Sequence, residues 1–248
     1  MDVLVLSEGQ NEAFDTDYHS PAELAAKIDA VRSRFDHRPA RILDLGGGNG
    51  HFLDSLLAAL PNARGTLIDI SADLLARNID DPRKEIINGS IADLPDLLAG
   101  RTFDIITLNW VLHHLVGRSY HVCRRNVVEC LAACSELLAP GGVIIVTDNM
   151  FDGFFGLNLP SHVIFAITRV RWAPFVRLAS AFFNTAGVGV WFQSRHAWRR
   201  LFTESDLCPE EEQAGENWPM GWRRKLAFSC LALQNVSHLH FYLVPGHS

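Results

Sequence analysis

The sequence of 248 residues lacks the features that mark nucleic-acid-binding, membrane-spanning and secreted proteins. It has no run of lysines and arginines longer than three residues and a formal net charge of −6, so a nucleic acid substrate is disfavoured. The two longest uncharged stretches in the apolar middle of the chain, 153–168 and 178–194, fall short of the roughly 18–20 apolar residues that a membrane-spanning helix needs. The first ten residues contain the acid Asp2 and no basic region, which predicts no secretory signal.

Cysteine is also scarce, and its spacing shows no regular pattern. The chain has five cysteines, at positions 123, 130, 134, 208 and 230, and an odd, unpaired set is typical of reduced thiols in a cytoplasmic protein. Cys130 and Cys134 lie four residues apart on a predicted helix, and no histidine or cysteine set with metal-ligand spacing accompanies them. The sequence therefore predicts small buried thiols and no metal site.

Short apolar strands alternate with helical segments along most of the chain. The predicted strands cover 41–45, 65–70, 84–88, 103–108, 142–148 and 238–244, and the predicted helices cover 21–35, 50–60, 71–78, 118–138 and 196–203. Nearly continuous Ile, Leu and Val runs indicate strands that are buried on both faces. This alternation predicts an α/β fold with a doubly wound sheet, whose last strand we expect to be antiparallel at or near an edge.

Residues 41–50, Arg-Ile-Leu-Asp-Leu-Gly-Gly-Gly-Asn-Gly, predict a strand that ends in a glycine-rich turn before a helix. Gly46, Gly48 and Gly50 allow positive φ and a close approach of the backbone to a ligand. A glycine turn at a helix N-terminus favours a nucleotide-type site. The dinucleotide fingerprint Gly-x-Gly-x-x-Gly does not fit, because His51 stands where its third glycine belongs.

Further motifs follow the glycine turn in a recognisable order. They are Asp44-x-Gly46-x-Gly48-x-Gly50, an acid at Asp69, the loop Gly89–Pro95, the strand Phe103–Asn109 and the turn Leu137–Gly142. Together they resemble class I S-adenosylmethionine-dependent methyltransferases, over about residues 40–150. The resemblance implies a Rossmann-like, mostly parallel seven-stranded sheet and S-adenosylmethionine as the cofactor.

The resemblance also implies a set of cofactor-binding residues, namely Asp44, Gly46, Gly48, Gly50, Asp69, Ile70, Ser90, Ile91, Asp93 and Asn109. Asp69 is placed to accept hydrogen bonds from the ribose hydroxyls, or alternatively to cap the next helix. Asp44 either fixes the backbone of the turn or contacts the cofactor indirectly. Ser90 stands where the family often has an aspartate for the adenine amino group. Either Ser90 or Asp93 could fill that role, or both could be ordinary loop residues.

The segment after the fourth strand, Trp110-Val111-Leu112-His113-His114-Leu115, supplies the candidate catalytic residues. It is similar to the Trp-x-x-His-Asp-Trp motif of plant small-molecule O-methyltransferases, in which the histidine is catalytic. His113 matches that histidine, and His114 replaces the aspartate. Because imidazole titrates near neutral pH, both are candidate general bases, and packing or substrate orientation is the alternative for each.

Residues 151–192 interrupt the alternation and are rich in aromatic side chains, and their only charged residues are Asp152, Arg169, Arg171 and Arg177. Such a stretch is too long for an ordinary connection, and we interpret it as an apolar helical insertion after the fifth strand that caps the acceptor. The predicted acceptor-binding residues are Tyr18, Trp110, Trp172, Phe182, Phe183 and Trp191. A core extension, a homodimer surface over 151–192 and a peripheral lipid contact through its arginines remain alternatives.

The sequence therefore predicts four regions: a helical lid at 1–36, the cofactor-binding core at 37–150, the acceptor cap at 151–195 and the completion of the sheet at 196–248. The predicted function is methyl transfer to a small, largely apolar acceptor, with O-methylation weakly favoured through His113. The alternatives are an enzyme that uses the same cofactor without ordinary methyl transfer, a non-catalytic binding subunit, and a protein or nucleic acid methyltransferase. The last lacks support, because the Asn/Asp-Pro-Pro-Tyr motif of many such enzymes is absent after the fourth strand, where Asn109-Trp110-Val111-Leu112 stands.

Overall fold

The structure, a computed structural model, describes residues 1, 19–154, 157–170, 172, 189–217 and 233–246. Three of the predicted acceptor-binding residues, Tyr18, Phe182 and Phe183, lie outside the described residues. Trp110, Trp172 and Trp191 are described.

Helices and strands alternate through the first two thirds of the described chain. The strands are β1 (Arg41–Leu45), β2 (Arg64–Asp69), β3 (Lys84–Asn88), β4 (Phe103–Asn109), β5 (Leu138–Gly153), β6 (Leu207–Asn217) and β7 (Leu233–Pro245). The α-helices are α1 (Pro21–Phe35), α2 (His51–Ala59), α3 (Ala72–Leu75), α4 (Leu94–Leu97), α5 (Tyr120–Leu137), α6 (Leu159–Thr168) and α7 (Arg195–Glu204). Two short 3₁₀ turns cover Ile91–Asp93 and Leu112–His114.

The strands form one seven-stranded sheet in the order β3-β2-β1-β4-β5-β7-β6. β1 is parallel to both β2 and β4, and β2 is parallel to β3. β6 and β7 pair antiparallel. This arrangement confirms the predicted doubly wound, mostly parallel sheet of seven strands. The final strand is antiparallel as expected, and β6 rather than β7 occupies the edge.

The last strands differ from the sequence prediction. β5 runs over Leu138–Gly153, so it begins before and ends after the predicted 142–148, and all but the first residue of the predicted turn Leu137–Gly142 lies within it. β6 was not predicted, because its run Glu210–Glu212 offers neither an apolar stretch nor alternation. An edge strand pairs on one side only and tolerates charged side chains, which explains why this sequence still forms a strand.

The chain divides into two compact units. The first, Ser7–Asn109 with Ala133–Ile145, contains α1–α4 and β1–β4, and we call it the glycine-turn unit. The second, Met1–Leu6 with Trp110–Ala132 and Val146–Ser248, contains α6, α7, β6 and β7, and we call it the histidine unit. α5 and β5 contribute residues to both. The four regions predicted from the sequence stay predictions.

The core of the glycine-turn unit lies on both faces of its parallel strands. Ile42, Leu43 and Leu45 of β1, with Ile105 and Ile106 of β4, are fully buried. This burial on consecutive positions is the reason that the strands read as unbroken apolar runs. Among the described residues, no helix combines the length and apolar character needed to cross a membrane.

Helix α1 begins with a complete capping box. The Ser20 hydroxyl accepts a hydrogen bond from the Glu23 N–H, and the Glu23 carboxylate accepts one from the Ser20 N–H. The buried face of α1 consists of Lys27, Val31 and Phe35, at a spacing of four residues. A lysine therefore occupies an inward position of this helix.

Candidate cofactor and acceptor sites

The glycine turn follows the carboxyl end of β1, and its backbone has a conformation that only glycine adopts easily. Gly46, Gly48 and Gly50 have φ values of 67°, 52° and 80°. Glycine is required at position 50 for a second reason, because a Cβ on this residue would lie 1.9 Å from Asn78 Oδ1. Any side chain at position 50 would meet both backbone strain and a collision.

Asn78, which sequence reasoning missed, braces this turn. Its Nδ2 donates hydrogen bonds to the carbonyl oxygens of Gly48 at 2.9 Å and Leu75 at 3.2 Å. Asn78 is the last residue of the predicted helix 71–78. Its position at the end of that helix is the only feature of the sequence that could have indicated its role in bracing the turn. The amide joins the glycine turn to the segment after β2 and so fixes the shape of the turn.

Asp44 presents a buried acceptor behind the glycine turn. Its Oδ1 accepts a hydrogen bond from Thr107 Oγ1 at 2.6 Å, across the β1–β4 pair. Its Oδ2 is buried without a hydrogen-bond partner among the described residues, and a Cβ on Gly47 would lie only 2.5 Å from it. Burial raises the pKa of Asp44 to about 6, against the opposing effect of the Thr107 hydrogen bond. An unsatisfied buried oxygen of this kind suits a donor group on a ligand.

Asp69 lies at the end of β2 and connects two turns. Its Oδ2 accepts from the Gly48 N–H at 3.0 Å, and its Oδ1 accepts from the Ser71 N–H at 2.8 Å. Burial raises the pKa of Asp69, and these backbone hydrogen bonds oppose the rise. Ser71, rather than Asp69, is the N-cap of α3. Because each carboxylate oxygen accepts more than one hydrogen bond, Asp69 keeps capacity for ribose hydroxyls, and that role stays a prediction.

The predicted adenine loop has mixed exposure. Ile70 is 52% exposed, Asp93 is exposed, and Ile91 is half-buried. Ser90 Oγ accepts from the Ala92 N–H at 3.1 Å and thereby caps the 3₁₀ turn. Their contacts to an adenine ring stay predictions.

Asn109 ends β4 beside a buried lysine that sequence reasoning also missed. Lys27 Nζ donates to Asn109 Oδ1 at 3.1 Å. Asn109 Nδ2 is buried and has no hydrogen-bond partner among the described residues. Burial lowers the pKa of Lys27 to about 7, although Glu23 and Asp44 both raise it. The sequence signal for this buried lysine is the spacing of four residues between Lys27, Val31 and Phe35, which places a lysine on the apolar face of α1.

In the histidine unit, Trp110 holds a conformation that is rare for a bulky residue. Its φ is 53°, and its N–H donates to the Thr147 carbonyl at 2.7 Å. Its ring lies 5.7 Å from the ring of His238. A large side chain with positive φ is strained, and such strain persists mainly at functional sites. This geometry supports the predicted involvement of Trp110 in the acceptor site, which stays a prediction.

His113 forms a buried pair with Asp148, a residue to which sequence reasoning gave no role. His113 Nδ1 lies 2.7 Å from Asp148 Oδ1, and the His113 N–H donates to Asp148 Oδ2 at 3.2 Å. Both side chains are buried, and the Asp148 side chain has no exposed surface. Because a carboxylate only accepts, Nδ1 carries the proton and Nε2 keeps its lone pair. The pair therefore fixes the tautomer in which His113 Nε2 can accept a proton.

Aromatic rings surround this pair. The ring centroid of His113 lies 4.9 Å from Phe192 and 4.1 Å from His114, and Phe192 stacks on Phe151 at 4.2 Å. Burial, with a smaller effect of His113, holds the pKa of His114 well below its usual range. His114 therefore stays neutral near pH 7.

The two described tryptophans of the predicted cap differ in environment. Trp191 is 1% exposed, and its backbone N–H donates a hydrogen bond to the His113 carbonyl at 3.0 Å. Trp172 is 69% exposed. Trp191 is thus bonded to the backbone of His113. Among the described hydrogen bonds and ring pairs, none connects Trp172 to that segment. The acceptor role of both stays a prediction.

Comparison with known proteins agrees with this geometry. Residues 43–144 match the model of the family described as "Methyltransferase domain". The chain is 28% identical over 142 residues to aclacinomycin 10-hydroxylase RdmB of Streptomyces purpurascens, covering 54% of this chain and 32% of that protein. It is 27% identical over 111 residues to flavonoid 4′-O-methyltransferase 4 of Mentha piperita, covering 45% and 29%. The chain thus spans about a third of the length of these curated relatives.

A solved structure resembles the whole fold. The SAM-dependent methyltransferase of Thiobacillus denitrificans, in complex with S-adenosylhomocysteine, has a TM-score of 0.60 and 16% identity, with 99% of this chain and 100% of that chain covered. The predicted resemblance is confirmed: residues 43–144 match the model of a methyltransferase domain, and the fold is that of this S-adenosylmethionine-dependent methyltransferase.

Proposed function

We propose that this chain transfers a methyl group from S-adenosylmethionine to a small, largely apolar acceptor, and that the acceptor atom is a hydroxyl oxygen. The observation that carries the proposal is the buried His113–Asp148 pair among aromatic rings. A paired histidine is suited to remove a proton, which an acceptor hydroxyl must lose and an acceptor thioether or tertiary amine need not. The aromatic surroundings favour an apolar, planar acceptor.

The residues of the glycine-turn unit fit the methyl donor. Asp44 Oδ2 and Asn109 Nδ2 are an acceptor and a donor that are buried without a partner among the described residues. The glycine turn that follows Asp44 has the positive φ values that allow backbone N–H groups to approach a ligand. When bound, S-adenosylmethionine supplies an electrophilic methyl carbon on a sulfonium. Asp69 would hold the ribose hydroxyls, and Ile70 and Ile91 would contact the adenine ring.

His113 would act on the acceptor and not on the donor. Nε2 would take the proton of the acceptor hydroxyl, whose oxygen would form the bond to the methyl carbon as the carbon–sulfur bond breaks. The electron pair of that bond would stay on sulfur, so the products would be a methyl ether and S-adenosylhomocysteine. Asp148 stabilises the imidazolium that forms and keeps its ring in one orientation. Because His114 stays neutral, it adds no positive charge that would oppose this protonation.

Turnover with a labelled donor tests the proposal. The protein is incubated with methyl-labelled S-adenosylmethionine and a panel of planar phenols, matched anilines, matched thiols and short peptides, and products are identified by mass spectrometry. We expect label on the phenols, one S-adenosylhomocysteine for each methylated product, and little label on the peptides. Label on peptides or amines alone would contradict the proposed acceptor class.

A second candidate function is an enzyme that uses the same cofactor without ordinary methyl transfer. The relative of Streptomyces purpurascens favours it, since that protein is named a hydroxylase. Conversion of an acceptor without release of S-adenosylhomocysteine in the same assay would support this candidate over methyl transfer. A cytoplasmic location, a homodimer through 151–192 and a lipid contact remain predictions of the sequence.

A further inference from the structure

The large apolar side chains that are exposed in the described part of the chain concentrate in one segment of the histidine unit. Five of these eight side chains lie between positions 154 and 172, namely Phe154, Leu157, Leu159, Val170 and Trp172. The other three, Ile70, Ile79 and Ile86, belong to the glycine-turn unit. Single exposed apolar residues are ordinary on a protein surface, whereas a group of them indicates a binding surface.

Helix α6, in the middle of this segment, is apolar on its outward side as well as inside. Its buried side consists of Pro160, Ser161, Ile164, Phe165 and Thr168. The outward side, at the spacing of a helix, consists of Leu159, Val163, Ala166 and Val170, which are exposed except for the half-buried Val163. His162 is the one exposed polar residue of the helix, and its ring stacks on Tyr120 at 3.9 Å. Because a surface helix normally has polar residues outward, the outward side of α6 is suited to an apolar contact.

The sequence around α6 is positively charged in a chain that is negative as a whole. Residues 153–203 contain six arginines and no acidic residue, whereas the rest of the chain contains all 28 acidic residues with 16 lysines and arginines. Arg195 and Arg199 of α7 both pair with Glu212, so their charges are partly neutralised. The arginines next to α6 are different ones.

Arg169 places a cation at the end of α6. It is the C-cap of the helix, and its guanidinium donates to the Arg118 carbonyl and lies 5.1 Å over the Phe165 ring. A carbonyl oxygen and a ring do not neutralise a cation. Arg171 and Trp172 follow in the sequence, and the Trp172 side chain is 69% exposed. Tryptophan and arginine beside an apolar helix are typical of segments that lie at the interface between a membrane and water.

We infer that the outward side of α6, together with Phe154, Leu157 and Trp172, binds the surface of a bilayer that contains anionic lipids; we call it the α6 surface. In this arrangement the apolar side chains enter the boundary of the acyl chains, and the arginines meet the headgroup phosphates. With ten residues, α6 has about half the length that spanning requires, so it lies in the plane of the bilayer. The inference goes beyond the proposed function, since it involves neither the methyl donor nor an acceptor.

Charge favours a bilayer over a second copy of the chain as the partner. A symmetric dimer places the same patch of both copies against each other, so the arginines beside α6 would meet their own counterparts. Like charges in that position repel, whereas anionic headgroups attract each arginine. The acidic residues outside 153–203 also oppose contact of an anionic membrane with the rest of the chain.

Flotation of the full chain with lipid vesicles tests the inference. Vesicles of phosphatidylcholine alone are compared with vesicles in which about a third of the lipid is phosphatidylglycerol. We expect binding to the anionic vesicles to be about tenfold or more tighter than to the neutral ones, and to weaken when added salt screens the headgroups.

Two variants with the same change in charge separate the α6 surface from the rest of the chain. Leu159→Glu places a carboxylate at the first residue of α6, where a helix tolerates an acid, and should weaken binding to anionic vesicles by about tenfold or more. Ile79→Glu changes a 64% exposed residue of the glycine-turn unit and should leave vesicle binding unchanged. Because both positions are exposed, both variants should melt within about 2 °C of the wild type, which shows that they are folded.

Trp172 reports the contact directly. Its fluorescence emission should move to shorter wavelength with anionic vesicles, and brominated acyl chains should quench it. Trp172→Phe keeps an apolar ring and should still bind, so the difference between its spectrum and that of the wild type isolates this residue among the six tryptophans. An emission of Trp172 that does not respond to bound vesicles would contradict the proposed surface.

The other failures are equally distinct. A wild type that does not bind anionic vesicles would overturn the inference, and so would equal binding of the wild type and Leu159→Glu. If the wild type bound no vesicles and sedimentation velocity showed a dimer that Leu159→Glu abolishes, the α6 surface would belong to a second copy of the chain. These outcomes leave the proposed function intact, because its own failure is measured by the absence of methyl transfer.

Discussion

The glycine turn and the histidine pair are built in different ways. The glycine turn, Gly46–Gly50, directly follows Asp44 and Leu45 of β1 in one continuous segment. Asp69 ends β2 and Asn109 ends β4, the two strands that pair with β1. The histidine pair joins His113 to Asp148, 35 residues further along the chain, and the Trp191 N–H binds the same segment. The first region is defined by backbone and local geometry, and the second depends on side chains from distant parts of the sequence.

This difference predicts how each region responds to substitution. In the glycine turn, the proposed contacts of the donor would be distributed over backbone N–H groups and several side chains, so one side chain would contribute only part of the affinity. In the histidine pair, a single nitrogen would accept the proton, so its loss should affect the rate strongly and binding weakly. Four substitutions test this contrast.

His113→Ala should have the largest effect. We expect a fall in kcat of about 10²-fold or more with an unchanged dissociation constant for S-adenosylhomocysteine, because the base acts only on the acceptor. Steady-state kinetics and calorimetry measure the two quantities. His196→Ala removes an exposed histidine of α7 and should leave both unchanged. Wild-type turnover in His113→Ala would end the assignment of a base.

Asp148→Asn should lower kcat by about tenfold or more, because an amide can present an N–H to Nδ1 and so favour the wrong tautomer of His113. The effect should vanish in the His113→Ala background, since Asp148 acts through His113. Kinetics of the double variant provide the measurement. Additive losses would mean that Asp148 has a role of its own.

Asp69→Ala should weaken the binding of S-adenosylmethionine by more than about tenfold, through lost hydrogen bonds of about 1.5–3 kcal/mol. Calorimetric affinity is the measurement, and kcat at saturating donor should change little. Asp73→Ala removes an exposed acid of α3 and serves as the matched control. An unchanged affinity for Asp69→Ala would refute the ribose assignment.

Phe192→Leu should have the smallest effect, a rise of a few-fold in acceptor KM without a change in donor affinity. The ring contacts His113 and Phe151, and aromatic pairs contribute about 0.5–1.5 kcal/mol beyond their buried area. Phe154→Leu, at a half-exposed position, is the control. Phe182 was predicted for the same role and lies outside the described residues, so Phe182→Ala tests that prediction separately. A loss of donor affinity in either variant would move the segment to the cofactor side.

Most of the fold follows from the sequence because its parallel strands are buried on both faces. The predicted bounds of β1 and β3 agree with the structure, and α1 begins and ends where its capping signal and apolar spacing place it. β6 could not be predicted in this way, since its Glu210–Glu212 run contains no apolar pattern. Its strand conformation depends on pairing with β7, a contact that no local window of sequence contains.

The sequence by itself determined the glycine turn, the alternation of strands and helices and the type of domain, because these depend on local backbone preferences and on a repeating burial pattern. Only the tertiary structure paired His113 with Asp148 and placed Lys27 against Asn109. An aspartate at the end of a strand and a lysine on a helix have many ordinary roles. Their chemistry here comes from burial and from partners that lie far away in the chain, which are properties of the folded protein.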